Sequence, residues 1–451
     1  MKEPFLSELL FPARIALALF LLPLFADAAP SLEISTDRED ALYQENEEVT
    51  FTIRAKDGDR NINKGEISWS LSRDGFGTVG SGKQSIEGGK AVLAKGSLDR
   101  PGFLLLTATF AGSDKVKTTA YGGAGVSPLK IPLSLPVPDD FDSFWSDQKA
   151  KLAKVPMSFT AELQATGEAD KALEAFDVKI PCEEDGPPVS GYFAQPKSAT
   201  PKSLPAVLWV HGAGVRSSSL PNALKGARGG FLSLDINAHG IPNGKPKEFY
   251  SELSQGELKT YRHDGRESRD TIYFRGMLVR LVRAIDFLTS RPEWDGKVLA
   301  VMGHSQGGLQ ALAAGGLDDR VTFVGSGVPA GCDHSGMTVD RISGWPKLVP
   351  VENGVPDPAA LEASRYIDAV NFATRCHADA IVSAGFIDRT CPPTSVYAAY
   401  NALQGRKEMI NKPEMGHAAP AEIKQQFWEA LEKHLAAKRG AALTSPVPAL
   451  R

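Results

Sequence analysis

Five short, almost purely apolar runs lie beyond residue 170, and they restrict the fold more than any other feature of the chain. They cover residues 206–210, 231–236, 298–302, 321–324 and 380–384. Runs of this length and composition are typical of strands buried on both faces of a parallel sheet. Between them, apolar residues recur at helical spacing over 278–288, which predicts a helix with Arg280 and Arg283 on its outer face. The alternation predicts an open α/β sheet with helices on both sides.

Residues 31–125 have a different pattern, in which short strands alternate with turns and no helical period is present. The runs 48–54 and 67–71 alternate apolar and polar residues, and turn clusters such as Asp74-Gly75 separate the strands. This spacing predicts a small all-β sandwich of immunoglobulin type. Because the region offers no exposed row of aromatic residues, packing or spacing is its expected role, with ligand binding as the alternative.

A proline-rich segment over residues 128–138 marks the boundary after the sandwich, since proline interrupts a sheet interior. Beyond it, Asp139 to Asp142 are expected to cap a helix whose apolar stripe runs from Phe141 to Leu152. We therefore divide the chain into a sandwich over 31–125 and an α/β domain over 126–440. The α/β domain ends in an amphipathic helix, and residues 441–451 are expected to be a disordered tail.

The first 28 residues are predicted to be a secretory signal peptide. The apolar run 15–25 has the length of a signal-peptide core, Lys2 and Arg14 precede it, and Ala26-Asp27-Ala28 supplies the cleavage pattern. We expect cleavage after Ala28 and export to a periplasm or to the outside, with an uncleaved anchor as the alternative. No later run approaches ~18 apolar residues, so no membrane attachment is expected after cleavage.

Charge and cysteine content exclude several partners. Lys plus Arg number 50 and Asp plus Glu number 54, a formal net charge of −4 that leaves no basic excess for nucleic acid. The four cysteines are scattered, without C-x-x-C spacing or paired histidines, so no metal and no cofactor are predicted. Cys332 and Cys391 each follow a predicted strand, which allows one disulfide between them but does not require it.

The chemistry is concentrated in Gly303-His304-Ser305-Gln306-Gly307, which lies between an apolar run and a predicted helix. A serine on such a strand-to-helix turn adopts a strained backbone and needs small neighbours, which the flanking glycines provide. The alternative is a glycine-rich turn with a bystander serine. We predict that Ser305 is a nucleophile.

Four histidines follow Ser305, and the order of serine, acid and histidine in such folds restricts the choice of a base. His434 is predicted on the solvated face of the last helix. His377 precedes a strand, at the wrong edge of a parallel sheet, and His334 comes too early to leave room for an acid on the next strand. His417, in the loop before the last helix, is therefore the predicted base.

The predicted acid is Asp388, which directly follows the run 380–384 at the carboxyl edge of the sheet. Asp333, beyond the preceding strand, is its main rival. An acid in this position would hold the His417 ring in the tautomer that accepts the serine proton.

Two backbone N–H groups are predicted to bind the oxyanion that forms during acyl transfer. Gln306 provides the first, because the helix that follows the nucleophile directs its N-terminus at the developing charge. The second is expected from the loop His211-Gly212-Ala213-Gly214, at Ala213, while the side chain of His211 is given a structural role.

At these residues the chain resembles the acetyl xylan esterase and cephalosporin C deacetylase family. The resemblance runs over about residues 136–437 and leaves the sandwich uncovered. It rests on Gly303-x-Ser305-Gln306-Gly307-Gly308, Arg275-Gly276, Gly327-Val328-Pro329-x-x-Cys332-Asp333, Asp388-x-x-Cys391-Pro392-Pro393 with Ala398-Ala399-Tyr400-Asn401, and Phe141-Asp142-x-Phe144-Trp145. It implies the α/β-hydrolase fold, a Ser305, Asp388 and His417 triad, and an oxyanion hole at Ala213 and Gln306.

Three positions depart from the pattern of that family. Met277 stands where the family usually has glutamine, Ala418 where it has glutamate, and Ala213 where an aromatic residue is common. None of these changes removes a catalytic atom. The features on which the ring-shaped hexamers of the family rest are not identified here, so no oligomeric state is predicted.

The leading hypothesis is an exported serine esterase that removes small acyl groups, above all acetyl, from xylan or xylo-oligosaccharides. Met277 and the loop 345–350 are expected to form cleft walls that admit little more than acetyl. The alternatives are a general carboxylesterase or peptidase on the same fold and, from another class, a cell-surface binding protein with an inactive hydrolase domain.

Overall fold

The computed structural model describes residues 30–112, 117–184 and 186–440. The predicted signal peptide, 1–28, and the predicted tail, 441–451, lie outside the described residues. No helix in the described ranges combines the length and the apolar character needed to cross a membrane.

The described residues form twenty strands and nine α-helices. The strands are β1 (Ser31–Thr36), β2 (Leu42–Tyr43), β3 (Val49–Asp57), β4 (Arg60–Asn61), β5 (Lys64–Arg73), β6 (Phe76–Glu87), β7 (Val92–Gly96), β8 (Gly102–Ala111), β9 (Lys117–Val126), β10 (Thr160–Leu163), β11 (Leu173–Ile180), β12 (Val189–Pro196), β13 (Leu204–Val210), β14 (Leu232–Ile236), β15 (Trp294–His304), β16 (Phe323–Gly327), β17 (Val351–Glu352), β18 (Val355–Pro356), β19 (Asp379–Gly385) and β20 (Lys407–Lys412). The helices are α1 (Phe141–Ala153), α2 (Leu220–Arg228), α3 (Lys247–Gln255), α4 (Tyr273–Ser290), α5 (Gln306–Leu317), α6 (Pro358–Ser364), α7 (Ala369–Ala373), α8 (Pro393–Ala402) and α9 (Ala421–Arg439).

The N-terminal region consists of two sheets. One contains β1, β3, β4 and β7, and the other has the order β2-β9-β8-β5-β6. Apolar side chains of both sheets, such as Phe51 on β3 and Leu106 on β8, belong to one buried cluster. The predicted alternation is present, since Val49, Phe51 and Ile53 are all fully buried. The immunoglobulin type remains a prediction.

The α/β region is built on a nine-stranded mixed sheet with the order β10-β11-β12-β14-β13-β15-β16-β19-β20. The six strands from β14 to β20 are parallel, and β12, β11 and β10 add to them in antiparallel pairs at one edge. All five apolar runs lie in or overlap parallel strands, namely β13, β14, β15, β16 and β19. The prediction of a sheet of α/β-hydrolase type is thus confirmed.

Helices cover both faces of this sheet. On one face, α4, α5 and α7 contribute to the largest apolar cluster, together with Leu208 of β13 and Val301 of β15. On the other face, α9 contributes Phe427 and Leu431 to a cluster with Met302. Alternate residues of one strand therefore enter different cores, as expected for strands buried on both sides.

The prediction that Arg280 and Arg283 are solvated is wrong, because both are buried, at 5% and 3% exposure. Arg283 donates to the carbonyl oxygens of Leu152 and Val155 at 2.6 and 2.9 Å. Arg280 donates to the carbonyl of Ala238 at 2.8 Å. The arginines satisfy carbonyl groups at the end of α1 and in a loop, which is a tertiary requirement that helical periodicity does not reveal.

Two further polar side chains have partners that the sequence did not predict. His434 is buried rather than solvated, with Nδ1 at 2.7 Å from Asp379 Oδ2 and Nε2 at 3.1 Å from Thr322 Oγ1. Asp140 is the residue before α1, but its side chain does not cap the helix, and it accepts instead from Arg269 at 2.6 Å.

The N-terminal β region packs directly on the α/β region. The ring of Phe103 lies edge-on to that of Phe386, with centroids 4.9 Å apart, and both belong to the main core. The Asp74 carboxylate accepts from the N–H of Thr394 at 3.3 Å. These contacts flank the loop that contains Asp388, so the N-terminal β region supports one side of the candidate site.

Candidate active site

Ser305 occupies the turn between β15 and α5, as predicted. Its backbone has φ 58° and ψ −121°, a conformation that non-glycine residues rarely adopt. The turn is held by the Ser305 N–H, which donates to Gly327 O at 2.9 Å, and by the Ser305 carbonyl, which accepts from Ala330 N at 3.0 Å. Strain of this kind persists only where the surroundings fix it, and it is common at functional sites.

The glycines beside Ser305 are needed for space. A Cβ on Gly303 would lie 2.5 Å from the carbonyl oxygen of Val210, and a Cβ on Gly307 would lie 2.3 Å from the same atom. Both contacts are with backbone, which cannot move aside, so β13 passes too close to the turn for any side chain at these two positions.

The structure brings Ser305, His417 and Asp388 together. Ser305 Oγ lies 2.9 Å from His417 Nε2, and Asp388 Oδ2 lies 2.8 Å from His417 Nδ1. The Asp388 side chain is fully buried, whereas that of His417 is 27% exposed. Asp388 Oδ1 accepts from the N–H groups of Thr390 and Cys391, each at 2.8 Å, which fixes the orientation of the carboxylate.

The rival acid, Asp333, has other partners. It accepts from the N–H and hydroxyl of Ser134 at 3.0 and 2.6 Å and from Arg341 at 3.0 Å. These bonds tie the proline-rich linker to the α/β region. The carboxylate is therefore committed to a structural role and does not pair with His417.

The two predicted oxyanion donors lie on segments that border Ser305. Gln306 is the first residue of α5, and Ala213 lies in the loop after β13. The neighbouring Gly212 approaches the nucleophile closely, because a Cβ at this position would lie 3.5 Å from Ser305 Cβ. His211 is also in this loop, where its Nε2 accepts from the N–H of Ala238 at 3.2 Å. Burial lowers the pKa of His211 to about 3, which suits the structural role predicted for it.

A hydrogen-bonded group that sequence reasoning missed connects the two oxyanion segments. The Tyr261 hydroxyl accepts from Gly214 N at 3.4 Å and donates to Gln306 Oε1 at 3.2 Å. His239 Nε2 lies 3.3 Å from Gly214 O, and its Nδ1 lies 2.7 Å from the Tyr273 hydroxyl. Tyr261 and His239 come from separate loops, so no local pattern could have linked them.

We predict that Tyr261→Phe lowers kcat about tenfold with little change in KM, because a loosened loop misplaces the donor while substrate contacts persist. Steady-state kinetics on p-nitrophenyl acetate checks this. The control is Tyr400→Phe in α8. It removes a hydroxyl that donates to Lys407 O at 3.4 Å, the same length as the bond between Tyr261 and Gly214. Equal effects in the two variants would contradict a positioning role for Tyr261.

Among the described residues, one group of three potential metal ligands is close enough to share an ion, and it consists of Asp388, Cys391 and His417. Both ring nitrogens of His417 already have partners in Asp388 and Ser305. The arrangement thus matches an acid and base pair better than a metal site.

Cys391 and the other three cysteines, Cys182, Cys332 and Cys376, are buried and free, with no disulfide. Burial raises the pKa of both the Cys332 and the Cys391 thiol.

A cavity of about 550 Å³ opens beside Ser305 and His417, within the size range of small-molecule sites. Its other walls come from the loop after β13, from α2 and from the start of α9. Met277 and the loop 345–350, which were expected to form cleft walls, do not line it. Met277 is 1% exposed and belongs to the core, since it lies on the buried face of α4.

The parallel sheet, the strained nucleophile turn and the hydrogen-bonded serine, histidine and aspartate define the α/β-hydrolase class. Residues 133–434 match the family model "Acetyl xylan esterase (AXE1)". The chain is 31% identical over 368 residues to acetyl esterase Axe7A of Xylanibacter ruminicola. The aligned region covers 80% of this chain and 82% of that protein. The chain therefore belongs to the acetyl xylan esterase family and is a carboxylic ester hydrolase.

Solved structures agree with this assignment. The acetyl xylan esterase of Paenibacillus sp. R4 is 28% identical, with a TM-score of 0.59 over 68% of this chain and 98% of that chain. Acetyl xylan esterase 1 of Thermoanaerobacterium sp. is 22% identical, with a TM-score of 0.54 over 67% and 97% of the two chains, and it supports the fold alone.

Proposed function

We propose that this protein is an exported serine esterase that removes acetyl groups from xylan or xylo-oligosaccharides, with Ser305, His417 and Asp388 as its catalytic triad. The observation that carries the proposal is the continuous hydrogen-bonded line from Ser305 Oγ through both His417 nitrogens to Asp388, at 2.9 and 2.8 Å. A serine hydroxyl is a weak nucleophile alone, and a base at this distance activates it.

In the proposed reaction, Ser305 Oγ attacks the acetyl carbonyl carbon while its proton passes to His417 Nε2. The oxyanion accepts hydrogen bonds from the N–H groups of Ala213 and Gln306, which lie beside the nucleophile. The carbon–oxygen bond to the sugar then breaks, and His417 gives its proton to the leaving alcohol. Water repeats the sequence on the acetyl-serine, which releases acetate, while Asp388 stabilises the imidazolium in both halves.

Two kinds of alternative function differ from the proposed one: an enzyme that removes another acyl group, and a protein without hydrolase activity. A general carboxylesterase or peptidase would use the same triad, because these three residues do not specify the acyl group. A binding protein with an inactive hydrolase region is disfavoured by the complete and correctly spaced set of side chains. The relatives described above are named as acetyl esterases, and this supports acetyl as the acyl group here.

We predict that activity on p-nitrophenyl esters falls at least about tenfold for each step from acetyl to butyryl to octanoyl. The relatives' names imply a small acyl group, and in an apolar acyl site of that size each added methylene would cost about 1–3 kcal/mol. Acetate release from acetylated xylo-oligosaccharides is measured in parallel. A flat or rising profile would replace the acetyl esterase with a general carboxylesterase.

The proposal includes export and a division into domains. Export rests on the pattern of residues 1–28, and N-terminal sequencing of the secreted protein should find Ala29 first. The sandwich over 31–125 and the esterase domain over 126–440 rest on separate sheets. Proteolysis confined to the linker 127–140 would support this division, and cleavage first inside either sheet would oppose it.

A further inference from the structure

The cavity beside Ser305 is strongly cationic. Arg216, Lys225 and Lys424 all line it, and they come from the loop after β13, from α2 and from α9. The structure forms 22 ion pairs in its described ranges, and none of them includes any of these three cations. Three separate elements therefore contribute a cation to one space, without an acidic partner within 4 Å, and Arg216 donates to the Gly212 carbonyl there at 2.8 Å.

The ammonium group of Lys225 lies over two indole rings, whose faces attract cations. Its Nζ lies 5.8 Å from the ring centroid of Trp209 and 5.2 Å from that of Trp428. Burial, and then repulsion from Lys424, lower the pKa of Lys225. An ammonium group packed against indoles, near a second ammonium, is stabilised when an anion enters the same space.

Two acids lie near these cations, and each of them accepts hydrogen bonds from neutral groups. Asp235 lines the cavity but is 2% exposed, and it accepts from Ser219 N at 2.7 Å and Asn222 Nδ2 at 2.9 Å. Burial raises the pKa of Asp235 to about 7, while the bonds from Ser219 and Asn222 and the charge of Arg216 act in the opposite direction. Glu432 is the acid that acts on Lys225, and its carboxylate also accepts from Trp428 Nε1 at 2.7 Å.

Residues around the predicted base form one wall of the cavity. His417, Ala418 and Ala419 form part of its wall, and His417 is the group that returns a proton to the alcohol in the proposed reaction. A substrate group in this cavity would thus belong to the alcohol portion and not to the acyl chain.

We propose that this cavity binds an anionic group, a carboxylate or a phosphate, on the alcohol portion of the ester, so that the preferred substrate is an acetylated sugar that carries an acid. The identity of the substrate as an acetylated sugar rests on the proposed function. The preference for a negatively charged substrate is inferred from the cavity alone. Arg216, Lys225 and Lys424 hold the anion, and Ser305 attacks the nearby acetyl group.

Three aryl acetates test the charge preference without a sugar: 4-acetoxybenzoate, 4-acetoxyphenyl phosphate and the neutral 4-acetoxybenzamide. We expect the double variant Lys225→Met/Lys424→Met to lose at least about tenfold in kcat/KM on one or both anions, mainly through KM, and less than about twofold on the amide. Lys433→Met, an exposed lysine on α9 outside the cavity, is the matched control and should change neither. The anion with the larger loss identifies carboxylate or phosphate as the preferred group.

The wild-type enzyme provides a second measurement that needs no variant. Salt at about 0.5 M should lower kcat/KM for the preferred anion and leave the amide unchanged, since screening weakens charge attraction. Equal losses on anions and amide, or no salt effect, would overturn the cationic subsite. If charge discrimination is present but acetylated xylo-oligosaccharides with and without a uronic acid are not hydrolysed, the sugar substrate is wrong and the subsite stands.

Discussion

Ser305→Ala is expected to lower the turnover of p-nitrophenyl acetate by about 10⁶-fold, because the variant lacks the atom that forms the acyl-enzyme. The fold should not change. Alanine is smaller than serine and fits the same turn, whose hydrogen bonds at Ser305 N and Ser305 O are made by backbone atoms. The thermal midpoint and the circular dichroism spectrum of the variant should match those of the wild type.

Ser364→Ala is the matched control, since Ser364 is a fully buried serine whose Oγ donates to Leu361 O at 2.7 Å, inside α6. This variant loses a comparable hydrogen bond and should keep its turnover. Retention of even a tenth of wild-type turnover by a verified Ser305→Ala protein would reject the mechanism.

Asp388→Asn should lower kcat by about 10⁴-fold while the protein remains folded. The N–H groups of Thr390 and Cys391 require an acceptor, so the asparagine carbonyl oxygen should take the place of Oδ1. The amide NH₂ then faces His417 Nδ1, which must accept and therefore carries no proton. Nε2 is left protonated and cannot receive the proton of Ser305.

Asp333→Asn is the corresponding control at the rival acid. Asp333 is buried and bonded to Ser134 and Arg341, so its replacement should lower the free energy of unfolding but change kcat by less than about threefold. If Asp333→Asn lost activity and Asp388→Asn kept it, the assignment of the acid would be reversed.

The sheet and the line of reacting side chains could be predicted because each depends on local composition and on chain order. Strands buried on both faces must be apolar, so the runs that became β13, β15 and β19 stand out in the sequence. A residue directly beyond such a run lies at the carboxyl edge of the sheet, which places Asp388 near Ser305 before any distance is known.

Other features depend on pairs of residues that are distant in the sequence. Arg283 is buried because carbonyl groups of α1 need donors, and Tyr261 matters because two loops meet at its hydroxyl. Periodicity placed Arg283 on a solvated face, and no local pattern marked Tyr261. The cationic cavity could not be predicted for the same reason. Lys225 and Lys424 lie about 200 residues apart and look like ordinary surface lysines in the sequence.

The catalytic role of Ser305 is tested most directly by covalent labelling with diethyl p-nitrophenyl phosphate, followed by peptide mass spectrometry. A serine activated by His417 should take up one equivalent of the diethyl phosphoryl group, and activity should fall in proportion to the labelled fraction. We expect the label on Ser305 alone, and we expect Asp388→Asn to be labelled far more slowly. A label on another residue, or full activity in protein labelled at Ser305, would contradict this catalytic role.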